Sequence, residues 1–532
     1  MHVSQRLLIR IGHLLGAFAA CAVSNVDAVF ADVAGPAPEG AILTPPAPAS
    51  PRINGPRVIG VRPGSPLLYT IPATGVRPMT FSADDLPGDL RLDPSSGMIT
   101  GTFGKAGDHV VVLHASNANG TTRQAIRIRV GEQIALTPPM GWNSWNCWSG
   151  EVDQDKVLRA ARAMVASGLS QHGWVYVNID DTWQGLRGGP FNGIQPDLEK
   201  FPDIKGLCDA VHGLGLKIGI YSTPWTVSYA KHIGGTSENA EGKWDPLEVA
   251  TKLEAQGANR DLLPWAVGKY SFAKQDAKQW AAWGIDYLKY DWFPMRLPET
   301  RDMANALRTC GRDIVFSITN GSSIRTPGDP EGLSNICMRE HAAGDIRDSW
   351  ESVESNGLIQ DAWSSLARPG HWNDPDMLVL GVVGWGNDLH PSRLTPNEQY
   401  SHISLWCLLS APLLLGCDLE RLDPFTLGLL TNDEVLAVDQ DPLGRQGVRV
   451  WDSDDRVILA KPMEDGSWAV GIFNRGTQQA TLKLKWTYMG IRGRYAVRDL
   501  WRQKDLGTFN EEFSAEVPPH GVLLARVTTP AN

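Results

Sequence analysis

Lys289 and Asp291 stand two residues apart in GIDYLKYDWF, residues 284–293, a hydrophobic stretch with the pattern of a buried strand. Strand alternation puts both on one face, which a core strand would keep apolar. The pair reads either as a structural ion bridge or as a nucleophile kept ionised at neutral pH by the cation beside it. Other hydrophobic segments end in acids too. VYVNIDD closes on Asp180 and Asp181, HWNDPDML carries Asp374 and Asp376, and Asp345 follows NICMRE, while Trp142 and Trp145 close MGWNSW. Each acid has a plain structural alternative: Asp180 or Asp181 could cap a following helix, and Asp374 before Pro375 could form a turn. Four strand ends that each offer a carboxylate repel one another unless a substrate or a cation uses them. Carboxylates with indoles and without a histidine cluster fit glycoside hydrolysis better than metal chemistry. In that reaction one carboxylate attacks the anomeric carbon and a second, kept protonated, assists the leaving group.

Such acids need a scaffold that brings strand ends together. From residue 133 to 437 the chain repeats strand, loop and helix, with strand candidates MGWNSW, WVYVNID, LKIGIYS, DYLKYDW, DIVFSIT, NICMRE, HWNDPDML and APLLLGC. Amphipathic stretches such as DQDKVLRAARAMVASGL lie between several of them. Eight such units predict a (β/α)8 TIM barrel, whose strand C-termini line one catalytic mouth; a doubly wound sheet is the alternative. Residues 56–132 alternate in short segments punctuated by Gly, Asn and Asp, which predicts an N-terminal Ig-like β-sandwich. Strand texture returns in residues 438–532 and predicts a C-terminal antiparallel β-sandwich. The fold class is therefore multidomain.

The chain has 532 residues, more than one hydrophobic core usually serves. Residues 1–31 have the charged, apolar, small-residue order of a signal peptide, and Cys21 offers lipoprotein anchoring as a lesser alternative. Export to a periplasmic or extracellular location follows. Residues 32–55 are a Pro/Ala-rich linker, and the mature chain is expected to carry no integral membrane segment. A net charge of -10 without a long basic run argues against nucleic acid as a partner. The six cysteines beyond the signal are scattered without metal-ligand spacing, and isolated disulfides stay open. Twenty tryptophans suggest sugar-stacking platforms or, equally simply, large core side chains.

The segments LTPPMGWNSWN, YVNIDDTW, WGIDYLKYDW, GHWNDPDMLVLG, LWCLLSAPLLLGCDL and AVDQDPLG together resemble the signature segments of glycoside hydrolase family 27, the retaining α-galactosidases and their relatives. The residues from LPGDLRLD to NANG resemble the Ig-like modules of secreted bacterial proteins. The family resemblance spans roughly residues 136 to 445 in order. It implies a catalytic barrel followed by a β domain, retention of configuration, and no metal or organic cofactor. By motif, Asp291 falls on the nucleophile and Asp345 on the general acid/base. Asp180, Asp181 and Lys289 fall on groups that bind sugar hydroxyls, and Trp145 on an aromatic wall. Asn320, Arg339, His341 and Asp374 complete the expected substrate contacts.

Departures from the pattern bear on specificity. Thr182 replaces a disulfide-forming Cys, Thr319-Asn320-Gly321 replaces Cys-Glu-Trp, and His341 stands where Arg is common. The loop from about 226 to 273 is longer than in compact members and could cover the pocket. The expected partner is an oligosaccharide or glycan with terminal α-galactosyl groups. Alternatives keep the mechanism on α-N-acetylgalactosamine, β-L-arabinopyranose or an isomaltose-type unit, or make the chain a catalytically inactive carbohydrate-binding protein. The Ig-like module either binds glycan or acts as a spacer.

Overall fold

The computed structural model describes residues 41–42, 44–244, 266–293, 295–319, 345–530 and the backbone of 336–339. The expected signal segment, Cys21, much of the linker, Asn320 and His341 lie outside the described residues.

The eight segments read as strands form one parallel sheet: β1 (Met140–Asn143), β2 (Tyr176–Asn178), β3 (Lys217–Ser222), β4 (Tyr287–Tyr290), β5 (Val315–Thr319), β6 (Ile336–Arg339), β7 (His371–Asp374) and β8 (Leu413–Leu415). Neighbours in sequence pair in order from β1 to β7, and β8 pairs β1. Leu378, just after β7, closes the ring through its N–H to Leu414 O at 2.8 Å. The strands are short and almost wholly buried, which explains why their sequences run hydrophobic on both faces until the C-terminal end.

Helices cover the barrel where the sequence is amphipathic. Helix α1 (Gln154–Ala166) takes its N-cap from Asp153, and α2 (Ile204–Gly213) from Asp203. Helix α3 (Ala273–Trp283) ends on Gly284 at φ 99, a conformation that a β-carbon disfavours, and α4 (Leu297–Thr309) and α5 (Trp350–Leu358) follow it. Among the described residues nine tryptophans are fully buried, including Trp142, Trp174, Trp183 and Trp372. For these the core-filling reading is the right one.

The Ig-like sandwich pairs a four-stranded sheet with a three-stranded one around Phe81, Ile99, Val111, Leu113 and Ile128. It packs on the N-terminal face of the barrel, opposite the mouth. Arg62 joins Asp313, which precedes β5, by Nε to Oδ1 at 2.7 Å and by its backbone N–H to Oδ2 at 3.0 Å. Thr70 Oγ1 donates to Gly215 O at 2.9 Å just before β3, and Asn54 Nδ2 to Gln171 O at 2.9 Å before β2. The module is thus fastened to the barrel floor at several strand entries.

At the other end, six- and two-stranded antiparallel sheets form the C-terminal sandwich. It leans on helix α6 (Pro396–Leu409), whose residues from Glu398 onward are buried without an apolar stripe because both barrel and sandwich cover them. No helix among the described residues is long and apolar enough to cross a membrane.

Candidate active site

The mouth is built from strand ends. Asp180 and Asp181 follow β2, are 1% and 2% exposed, and lead into a hairpin of Gln184–Gly188 and Gly193–Pro196 rather than a helix. Neither caps anything; their burial needs another reason. Asp181 accepts from Thr182 N at 2.8 Å, Gln184 Nε2 at 2.9 Å and Ala230 N at 3.0 Å. Burial nevertheless pushes its carboxyl above the usual carboxylate range, with these hydrogen bonds working against the shift. Thr182 sits at φ 81, so the chain turns sharply directly after both acids.

Lys289, 9% exposed on β4, places Nζ 2.7 Å from Asp180 Oδ2 and 5.5 Å from the centre of the Tyr221 ring. Register explains the meeting, since Lys289 lies opposite Tyr221 of β3 and Ser317 of β5. The ion bridge of Lys289 thus runs to Asp180 and not, as the spacing suggested, to Asp291, and it brings a second acid into the mouth that Asp291 faces. Asp291 stands one residue past β4, half-buried, with its N–H on Ser222 O at 2.9 Å. Its Oδ1 accepts the Thr319 hydroxyl from the end of β5.

Around the rest of the ring, Arg339 ends β6 in register between Thr319 and Asp374. Asp374 ends β7 and accepts Asp376 N at 2.9 Å, so it does form the turn at Pro375 while remaining at the mouth. Asp376, at φ 87, takes Ile346 N at 2.8 Å and Met377 N at 2.6 Å. Asp345 itself is exposed, and its chain neighbour Ile346 is fully buried. Trp145 opens a short helix after β1, half-buried, with its N–H on Asn143 Oδ1 at 2.9 Å.

The long loop after β3 reaches the mouth through Ala230. It is pinned by Arg187, which forks onto Asp276 of α3 at 2.5 and 2.9 Å, donates to Gly234 O at 2.7 Å and lies 4.3 Å from the Phe272 ring. Two contributors escaped the sequence reading. Tyr221 is buried, and its hydroxyl is held well above its ordinary pKa by burial and by Asp181, Asp291 and Asp180. Gln184 is the other, a side chain whose role needs the hairpin to be known. The polar ending Tyr221-Ser222 after Ile218-Gly219-Ile220 was the one available signal. Among the described residues no group of three or more acids, histidines or cysteines is arranged to hold a metal ion.

A (β/α)8 barrel that gathers acids, a lysine and an indole at its strand C-termini, with a β-sandwich on either side in sequence, has the architecture of a glycoside hydrolase. The alpha galactosidase A family matches residues 137–241 and 263–441, its C-terminal beta sandwich domain residues 453–527, and an Ig domain residues 50–131. The chain belongs to this family, glycoside hydrolase family 27. Alpha-galactosidase 2 of Arabidopsis thaliana is 36% identical, over 76% of this chain and 92% of its own. Alpha-galactosidase of Cyamopsis tetragonoloba is 36% identical, over 76% and 90%. A crystal structure from Bacteroides fragilis superimposes with a TM-score of 0.78 at 32% identity and covers 91% of this chain and 98% of that one. The break between the two family segments, residues 242–262, falls inside the long loop after β3.

Proposed function

We propose that the protein is an exported, exo-acting retaining hydrolase of terminal α-galactosyl residues in oligosaccharides or glycoconjugates. The observation that carries this reading is the setting of Asp291, which accepts the Thr319 hydroxyl while Lys289, two residues before it on the same strand, is paired to Asp180. In the first step Asp291 attacks the anomeric carbon as Asp345 gives its proton to the departing glycosidic oxygen. In the second, Asp345 takes a proton from water, which attacks the glycosyl ester on the face the leaving group vacated and releases Asp291. Asp180, Asp181 and Lys289 bind sugar hydroxyls, and Trp145 supplies an apolar wall. The reaction needs no cofactor. Named relatives that act on α-galactosides support the choice of sugar, and the basic, apolar, small-residue order of residues 1–31 supports export.

Proton NMR of the first-formed sugar from nitrophenyl α-galactoside tests the mechanism. Release of the α-anomer is expected, β-anomer first would mean inversion, and a pure binder would release no chromophore at all. Parallel assays on α-N-acetylgalactosaminide and β-L-arabinopyranoside substrates decide the sugar.

A further inference from the structure

Beyond Asp345 the surface opens into a cleft of about 610 Å³ that none of the sugar-binding residues named above lines. Three separate parts of the chain wall it: the segment after Asp345, the stretch between β7 and α6, and the loop of the C-terminal sandwich at His520. Its position relative to the mouth is fixed by backbone contacts. Gly384 and Trp385 both donate their N–H to Asn146 O at 2.9 Å, and Gly386 donates to Cys147 O at 2.9 Å. The residues that follow Trp145 thus hold the Trp385 turn. Arg347, two residues after Asp345, sets its guanidinium 4.6 Å from the Trp385 ring centre.

Trp385 is held in an unusual way. Its backbone is at φ 49, between Gly384 at φ 157 and Gly386 at φ 102. Left-handed backbone at a tryptophan is disfavoured unless its surroundings over-determine it. Its ring is half-buried, and its Nε1 is buried with no hydrogen-bond partner among the described residues. The far wall is equally built: Trp350 stacks on His520 at 4.9 Å and 10°, and His520 Nδ1 meets Glu398 Oε1 at 2.7 Å. Asp348 accepts from Arg393 N at 2.9 Å and pairs with His390 Nε2 at 3.2 Å. Both charge signs are present and largely matched to each other, which suits a neutral polyol rather than an ionic ligand.

We infer that this cleft is the leaving-group subsite, that Trp385 and Arg347 are its recognition residues, and that its ligand is a neutral saccharide. The inference rests on the proposed reaction, because an acid must lie on the leaving-group side of the bond it breaks. Arg347 follows Asp345 by two residues, and the Trp385 turn is bonded to the two residues that follow Trp145. A sugar ring seated here stacks on indole and hydrogen-bonds to the guanidinium.

The test compares raffinose, whose leaving group is sucrose, with α-galactosyl fluoride, whose leaving group is too small to reach the cleft. In Trp385→Ala and in Arg347→Gln the ratio of kcat/KM on raffinose to that on the fluoride should fall about tenfold, which is ~1.4 kcal/mol, chiefly through KM. An unchanged ratio overturns the inference, and equal losses on both substrates would mark a structural role and overturn it as well. A second arm needs no turnover: saturation-transfer NMR should show free sucrose bound to the wild type and not to Trp385→Ala. Absence of transfer in the wild type, or undiminished transfer in the variant, contradicts the subsite. Should the wild type bind sucrose yet cleave no α-galactoside, the cleft is a saccharide site but not a leaving-group subsite, and the proposed reaction falls with that assignment.

Discussion

Asp376 Oδ2 accepts the backbone N–H of Ile346 at 2.8 Å, so the turn after β7 grips the chain one residue beyond Asp345. Asp376 is 2% exposed and Ile346 fully buried, so the grip is sheltered from water while Asp345 stays open to substrate. Asp376 is a positioning residue for the proposed acid. Asp376→Ala should lower turnover of substrates with poor leaving groups by ~10²-fold, the cost of displacing a catalytic group by about 1 Å. Activated aryl galactosides should suffer much less, and Asp376→Asn, which keeps an acceptor oxygen, should recover part of the loss. Equal losses on both classes of substrate would reduce the contact to general stability.

Thr319 replaces the Cys expected at its position and donates to Asp291. A buried hydrogen bond to a charged group is worth about 1.5 to 3 kcal/mol. Thr319→Val keeps the shape and removes the donor, so kcat/KM should fall by roughly ten- to a hundredfold, with Thr319→Ser restoring most of it. Steady-state kinetics on one aryl galactoside decide this, and a Val variant with wild-type kinetics would detach Thr319 from the nucleophile.

The Ig-like module should stabilise the barrel. Arg62 and Asp313 are 11% and 16% exposed in their side chains, and Arg62 also donates to Arg312 O at 2.9 Å. Arg62→Ala should cost ~2 kcal/mol, as the loss of hydrogen bonds to a charged group does, and lower the calorimetric melting temperature by a few degrees. Activity at 25 °C should be unaffected, since the contact lies at the barrel floor. A melting profile identical to wild type would return the module to the role of a spacer.

His402 introduces a pH dependence. The ring is fully buried on α6, its Nε2 accepts Val379 N at 3.2 Å, and burial holds its pKa down at about 3. Unfolded, the same ring takes a proton near pH 6.5. Between these values the unfolded state binds more protons, so this residue makes stability fall as pH drops from 6.5 towards 3, by at most about 1.4 kcal/mol per pH unit. His402→Gln should flatten that part of the curve when urea midpoints are compared at pH 6.5 and 4.5. An equal slope in both proteins would place the acid sensitivity elsewhere.

The sequence carried the barrel because its strands are buried on both faces and end abruptly in polar residues: the break from Val177 and Ile179 to Asp180, or from Leu288 to Asp291, is a local signal. It also carried the turn at Asp374. The interlock of Arg62 with Asp313 left no such mark, because the partners lie 251 residues apart and each looks like an ordinary surface charge by itself. The partner of Lys289 was hidden for a related reason. Alternation along β4 fixes the face on which Lys289 lies, but its carboxylate partner on the far side of β3 follows from register and barrel closure. Trp385 reads in sequence as one indole among twenty, and only its left-handed backbone and its tie to Asn146 set it apart.

Asp291 is the proposed nucleophile. Incubation with a 2-deoxy-2-fluoro α-galactosyl fluoride, followed by peptide mass spectrometry, tests it directly because the fluorine slows release of the covalent intermediate. One fluoroglycosyl group per chain is expected, on Asp291 in the peptide that contains YLKYDWF, and none in Asp291→Ala. Labelling of Asp180, Asp345 or any other residue, or inactivation without a covalent adduct, would contradict it.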